Sequence, residues 1–154
     1  MSRFMILNMM AFAMLFTTRT NSVYAQGAKG QHHPAIHRAI YELKQGRQEL
    51  KEAARDFGGH REKAMHAIDL ALKQLHAIAP LSGPKGKPYQ GHPIEFYKTF
   101  ENHPHIRSSI AELNETIRAL KEAKHDFGGH REKALKDSIY AKEQLELALK
   151  FDKN

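Results

Sequence analysis

The stretch Asp56-Phe57-Gly58-Gly59-His60-Arg61-Glu62-Lys63-Ala64 occurs twice in this chain of 154 residues. The copies lie 70 residues apart, and 19 of 32 positions are identical between residues 33–64 and 103–134. Repetition at a fixed spacing indicates one structural unit that is used twice. The two copies are therefore expected to have the same local structure. The second copy of the stretch begins with Asp126, Phe127, Gly128, Gly129, His130 and Arg131.

Each unit has the pattern of a helical hairpin. We expect His33-Pro34 to open the first helix, because proline fits at the first helical position, where its missing N–H would have no partner anyway. We expect Gly58-Gly59 to end that helix, since glycine readily takes the left-handed conformation that closes a helix. His60 then begins a second helix. Between these signals, apolar side chains follow at the spacing of a helix packed in a bundle: Ile36, Ile40, Leu43, Leu50 and Phe57.

Two such hairpins predict an all-α four-helix bundle, because each hairpin buries its apolar stripe best against the other. The expected hairpins span residues 33–79 and 103–151, with helices of about 23 and 18 residues. Residues 80–102 are expected to form a linker with a short helix. Each apolar row has one defect, Arg47 in the first repeat and Lys124 in the second. The linker length allows parallel or antiparallel hairpins, and we favour the parallel arrangement, in which both glycine turns meet at one end.

The first 25 residues have the composition of a secretory signal peptide. Arg3 supplies a positive start, residues 4–16 are mostly apolar, and Val23-Tyr24-Ala25 fits a small-x-small cleavage site. We expect cleavage after Ala25, a flexible leader over residues 26–32, and an exported protein that is periplasmic or secreted. The chain contains no cysteine, which excludes a disulfide, a thiolate metal site and a thiol nucleophile.

The chain is basic. It has 24 lysines and arginines against 17 acidic residues, and removal of Arg3 and Arg19 with the signal peptide leaves a net charge of +5. Such a charge favours an anionic surface or an acidic protein as partner. Export argues against nucleic acid, and after signal cleavage no apolar run is long enough for a stable membrane span.

The repeated unit resembles a group of small secreted bacterial proteins that are built from one or two helical hairpins. The shared features are the run Asp-Phe-Gly-Gly-His-Arg at the turn and a His-Pro-x-Ile helix start, which is matched here by residues 33–36 and 103–106. The resemblance covers essentially all of the chain after residue 25. It implies a helical-hairpin fold but no activity, so no catalytic or binding residue is carried over from it.

The repeated turn is the first candidate for chemistry. A local structural role is open to Asp56, whose carboxylate can accept hydrogen bonds from the free N–H groups at the start of the next helix or pair with Arg61. The alternative is that Asp56 and His60 converge with Asp126 and His130 as a metal or proton-transfer site. That alternative requires the two turns to meet in space.

Histidine is the second candidate, since all 11 histidines lie beyond residue 25. The hypothetical metal ligands are His33, His37, His103 and His105, because His33 and His37 have the i, i+4 spacing that places two imidazoles on one helix face. Without thiolates, such a site would prefer Zn²⁺, Cu²⁺ or Ni²⁺. Haem is disfavoured, because Met65 is the only methionine after residue 25 and the second repeat has Leu135 in its place.

These patterns favour a non-enzymatic exported helical bundle that acts as a binding or structural module. The alternative function is a periplasmic protein that binds a divalent transition metal through histidine. A carboxylate–histidine enzyme ranks below both.

Overall fold

A computed structural model of the chain describes residues 33–53, 56–82, 93, 95, 100 and 102–151. The expectations for the signal peptide, the leader and nearly all of the linker concern residues outside these ranges. The described part contains four α-helices, α1 (Pro34–Glu52), α2 (His60–Ile78), α3 (Pro104–Glu122) and α4 (His130–Phe151), and a 3-10 turn (Ala79–Ser82) after α2. The four-helix bundle predicted from the repeated hairpin is confirmed.

The first helix of each repeat begins where the sequence predicts and ends earlier than predicted. Proline stands in the first turn of both α1 and α3. Both helices end five residues before the phenylalanine of the turn, and the residues that follow them, Ala53 and Ala123, have extended backbone with ψ of 123° and 121°. The expected length of about 23 residues for this helix is therefore wrong, since each has 19. Asp56 lies in the connection and not in the last helical turn.

The turn itself consists of three successive residues with positive φ. Phe57, Gly58 and Gly59 have φ of 56°, 65° and 83°, and the second repeat reproduces them with 53°, 69° and 89°. Glycine takes this conformation without a Cβ penalty, whereas phenylalanine does so at a cost of roughly 1–2 kcal/mol. The cost at Phe57 is offset by packing, because its side chain is only 6% exposed.

The two hairpins pack antiparallel. Helix α1 lies on α3 and α2 lies on α4. Glu49, near the end of α1, contacts His105 at the start of α3, and His60, at the start of α2, contacts Gln144 near the end of α4. The parallel arrangement favoured from the sequence is therefore wrong, and the two glycine turns lie at opposite ends of the bundle.

The antiparallel arrangement relates the repeats by an approximate twofold axis. The contacts made by residues of the repeated turns come in pairs 70 residues apart, as His60–Gln144 and His130–Gln74 show. This arrangement also explains the long linker, because the end of α2 and the start of α3 lie at opposite ends of a bundle roughly 28 Å long. None of the described helices is long and apolar enough to cross a membrane.

The core combines an apolar interior with a polar α1–α3 interface. Glu42 and Glu112, which occupy equivalent positions, are 0% and 1% exposed. The guanidinium of Arg38 lies 3.8 Å from the Glu42 carboxylate and also binds Glu115. A buried carboxylate needs such partners, because removing a charge from water is costly. The largest apolar side chains of the core are Ile36, Leu43, Leu50, Ile68, Leu75, Ile78, Ile106, Leu113, Leu120 and Leu145.

Both defects in the apolar rows have a structural explanation. Arg47 reaches sideways from α1 to α2 and donates two hydrogen bonds to Asp69, with N···O distances of 2.5 and 3.1 Å. Those bonds raise the pKa of Arg47. Lys124 follows the end of α3 and is exposed, so it never belongs to the buried row.

Candidate functional site

In the repeated turn, the aspartate caps the helix that follows. The Gly59 N–H donates to Asp56 Oδ2 at 2.6 Å, and in the second repeat the Glu132 N–H donates to Asp126 Oδ1 at 3.0 Å. The first N–H groups of a helix have no partner inside the helix, and a carboxylate there also complements the positive end of the helix dipole. The repeated aspartate thus has the local role that the sequence leaves open for it.

The arginine of the turn closes the preceding helix. Arg61 donates from Nη1 to the carbonyl of Leu50 at 2.8 Å, and Arg131 donates to the carbonyl of Leu120 at 2.9 Å. The last carbonyl groups of a helix lack partners within the helix, and a cation near them is favourable. This bond holds the helix end several residues before the glycines, and it accounts for the early end of α1 and α3.

The four histidines that occur at equivalent positions hold the two repeats together. His60 and His130 contact Gln144 and Gln74 through Nδ1 at 2.9 and 2.8 Å. His103 packs edge-on against Phe57 of the other repeat, with ring centroids 5.1 Å apart. His33 packs in the same way on Phe127, also at 5.1 Å. The repeated turns therefore stabilise the packing of one repeat on the other.

The turns do not form a common site. Asp56 and His60 lie at one end of the bundle and Asp126 and His130 at the other, because α2 and α4 run antiparallel. The hypothesis that these four side chains converge on a metal or a substrate is wrong for this reason. A carboxylate–histidine enzyme built on both turns is excluded with it.

The four histidines predicted as metal ligands also divide between the two ends. His33 and His37 lie at the start of α1, beside the second turn. His103 and His105 lie at the start of α3, beside the first turn. One ion cannot be held by all four, since the length of α1, roughly 28 Å, separates the two pairs.

Of the four predicted histidine ligands, His105 lies beside two carboxylates of α1. Within the described ranges, one group of three metal-ligand side chains brings ligand atoms within 4.8 Å of one another, and it consists of Glu49, Glu52 and His105. His105 Nδ1 lies 2.9 Å from Glu49 Oε2 and 3.9 Å from Glu52 Oε2. Glu49 and Glu52 are one turn apart on α1, so both carboxylates lie on the same helix face. We call these three residues the 49–52–105 cluster.

The dimensions of the 49–52–105 cluster suit a small divalent ion. In a tetrahedral site with metal–ligand bonds of about 2.1 Å, ligand atoms are about 3.4 Å apart. The two distances from His105 Nδ1 lie on either side of that value. The side chains of His105, Glu49 and Glu52 are 40%, 29% and 51% exposed, so the site is open to solvent and can adjust. Three protein ligands leave a fourth position for water.

The 49–52–105 cluster is not part of the duplication. The equivalent positions hold Ala119, Glu122 and Ala35, so the matching place at the other end retains one carboxylate and no imidazole. The residues shared by both repeats close the turns and join the hairpins. A cluster that only one end possesses is not required by the fold, which makes it a candidate for function.

The sequence predicts one member of this cluster and misses two. His105 is among the predicted metal ligands, whereas Glu49 and Glu52 look like ordinary surface acids of α1. Their i, i+3 spacing is visible in the sequence, but their approach to His105 depends on the antiparallel arrangement. Comparison of the chain with protein-family models, with curated proteins and with solved structures finds no match.

Proposed function

We propose that this chain is a non-enzymatic exported binding module that holds one divalent transition-metal ion at the 49–52–105 cluster. The observation that carries the proposal is the convergence of His105 Nδ1 with two carboxylates of α1. Export rests on the signal-peptide pattern of the first 25 residues. The proposed role is not catalytic, because the aspartate, histidine and arginine of the repeated turn are engaged in helix caps and in contacts between the repeats.

The donor set indicates which metals the cluster would take. One imidazole and two carboxylates suit Zn²⁺, Cu²⁺ or Ni²⁺ better than Mg²⁺ or Ca²⁺, which prefer oxygen alone. Nδ1 of His105 would bind the ion in its neutral form, so protons compete with the metal and affinity falls as the pH is lowered. The bond from His105 to Glu49 would be replaced by bonds from both groups to the ion.

Calorimetric titration of the chain from Gln26 onward with Zn²⁺, Cu²⁺ and Ni²⁺ tests the proposal. We expect one ion to bind per chain with a well-defined affinity. His105→Ala and Glu52→Gln should each weaken that affinity roughly tenfold or more, because each removes one of three ligands. Binding should also weaken on acidification in the wild type.

The duplicated architecture supplies a matched control. Glu122→Gln makes the same change at the equivalent position of α3, where Ala35 occupies the position equivalent to His105, and should leave the affinity unchanged. His33→Ala/His37→Ala removes two imidazoles at the other end and should also have no effect. Equal affinities of the wild type and His105→Ala for all three metals would refute the proposal, as would an equal loss in Glu122→Gln.

A further inference from the structure

A second surface, on the opposite side of the fold from the polar α1–α3 interface, is exposed and partly apolar. Among the described residues, the large hydrophobic side chains that are well exposed are Leu70, Tyr140, Leu147 and Phe151, at 38%, 46%, 41% and 56%. All four belong to α2 or α4. Helices α1 and α3 contribute none to this group.

These four side chains line one seam. Tyr140, Leu147 and Phe151 follow one another at spacings of seven and four, which places them on one face of α4. Gln144 belongs to the same row and contacts His60 of α2, so the row runs along α2. Phe151 also packs near His60, with ring centroids 6.5 Å apart.

Leu70 completes the seam from the other helix. It precedes Gln74 by one turn, and Gln74 contacts His130 at the start of α4. Leu70 and Tyr140 are equivalent residues of the two repeats. We call the exposed seam formed by Leu70, Tyr140, Leu147 and Phe151 the α2–α4 face.

Exposed lysines lie beside the apolar side chains of the α2–α4 face. Lys63 and Lys133 precede Leu70 and Tyr140 by seven residues, so each lies in the same helical row, and both are exposed. Exposed Lys73 and Lys150 follow at the margins. The exposed acids beside these lysines are Glu143 and Glu146, whereas Asp137 is half-buried and burial raises the pKa of its carboxyl. The face therefore combines apolar and aromatic side chains with an excess of positive charge.

We propose that the α2–α4 face docks on the surface of an anionic phospholipid bilayer. Leucine, tyrosine and phenylalanine side chains enter the boundary between headgroups and acyl chains, while lysine ammonium groups remain among the phosphates. A second copy of the chain is a poorer occupant, because a symmetric contact would bring Lys63 and Lys133 against lysines of the same face. This proposal goes beyond the metal site and does not depend on it.

Co-sedimentation with lipid vesicles tests the proposal. The chain from Gln26 onward, which contains the whole described bundle, is mixed with vesicles of phosphatidylcholine alone or with phosphatidylglycerol added. We expect partitioning into the anionic vesicles about tenfold or more above that into neutral ones. Leu70→Ser/Leu147→Ser and Lys63→Glu/Lys133→Glu should each lower the partitioning into anionic vesicles about tenfold or more. The second variant changes only exposed charges and therefore remains informative if the first folds poorly.

The control reverses the same number of charges elsewhere. Lys44→Glu/Lys121→Glu alters exposed lysines of α1 and α3 and should reduce partitioning by a much smaller factor. No preference for anionic vesicles in the wild type, or an equal loss in this control, would overturn the proposal. Self-association of the wild type that the Leu70→Ser/Leu147→Ser variant abolishes would overturn it too, since the face would then belong to a second copy.

Discussion

At the residue scale, the two glycine turns are nearly the same structure in different surroundings. Gly58 and Gly128 have φ of 65° and 69°. A Cβ on Gly58 would lie 2.9 Å from the ring of Phe151, whereas a Cβ on Gly128 would meet nothing within 4 Å. Substitution of Gly128 thus measures the free-energy cost of the backbone conformation alone, whereas substitution of Gly58 adds the cost of the contact with Phe151.

We expect Gly128→Ala to lower the free energy of unfolding by about 1 kcal/mol, because alanine is strained at positive φ. Gly58→Ala should lower it further, since it must also displace Phe151. Chemical denaturation of both variants measures the two losses. A smaller loss in Gly58→Ala than in Gly128→Ala would contradict the contact with Phe151.

Asp137 carries a prediction about pH. Burial raises the pKa of this carboxyl above its ordinary value of 3.8, and the nearby His66 opposes the shift. The folded protein then holds the Asp137 proton more tightly than the unfolded chain does, so stability falls as the pH rises through the interval between the two pKa values. At neutral pH the partly desolvated charge of Asp137 therefore lowers the stability of the folded protein.

We therefore expect Asp137→Asn to raise the melting temperature at neutral pH. The gain should shrink as the pH is lowered towards 3.8, the ordinary pKa of the carboxyl, where the wild type is protonated as well. Thermal unfolding across this pH range checks the prediction. A gain that is independent of pH would show that the ionisation of Asp137 is not its cause.

At the scale of the helices, the repeats differ in how α1 joins α2 and α3 joins α4. The first hairpin uses the ion pair between Arg47 and Asp69, whose side chains are 31% and 48% exposed. The second hairpin has Ile117 and Ile139 at the equivalent positions. The two repeats therefore have an ion pair and a pair of apolar residues at equivalent positions of the hairpin.

We expect Arg47→Ile/Asp69→Ile to keep the fold and to change the free energy of unfolding by no more than about 1 kcal/mol, because an exposed ion pair contributes little. Each single substitution should be worse than the double, since it leaves one unpartnered group or one isolated isoleucine. A double-mutant cycle measured by denaturant unfolding gives the coupling. A double variant less stable than both singles would contradict this view.

The start of α1 can be predicted from the sequence, but its end cannot. Pro34 and the apolar spacing locate α1, but its end depends on Arg61, which reaches back to the Leu50 carbonyl. Such a contact over 11 residues leaves no mark in the periodicity. The glutamines that contact His60 and His130 are also repeated, as Gln144 and Gln74, but their identity does not show which glutamine each histidine contacts.

At the scale of the whole molecule, parallel and antiparallel hairpins bury the same apolar stripe, so periodicity alone cannot choose between them. The relative direction of the two hairpins determines which side chains contact one another. It separates the two turns, divides the predicted histidines between the ends, and brings His105 to Glu49 and Glu52. The sequence predicts His105 as a candidate ligand from its residue type, whereas its proximity to Glu49 and Glu52 follows only from the arrangement of the helices.

Spin labels measure this arrangement directly, since the chain has no native cysteine. Lys51 and Lys121 are equivalent, exposed residues near the ends of α1 and α3. With Lys51→Cys/Lys121→Cys, antiparallel helices predict a separation of roughly 27 Å along the bundle axis. Parallel hairpins would place the two labels about 10 Å apart, the distance between neighbouring helices.

The 49–52–105 cluster is proposed to hold a metal ion at one end of the bundle through a single imidazole and two carboxylates. X-ray absorption at the zinc edge of the 1:1 complex tests it most directly. We expect one imidazole nitrogen, contributed by His105, with oxygen atoms as the remaining ligands. A zinc ion bound by two or more imidazoles, or a spectrum that His105→Ala leaves unchanged, would contradict it.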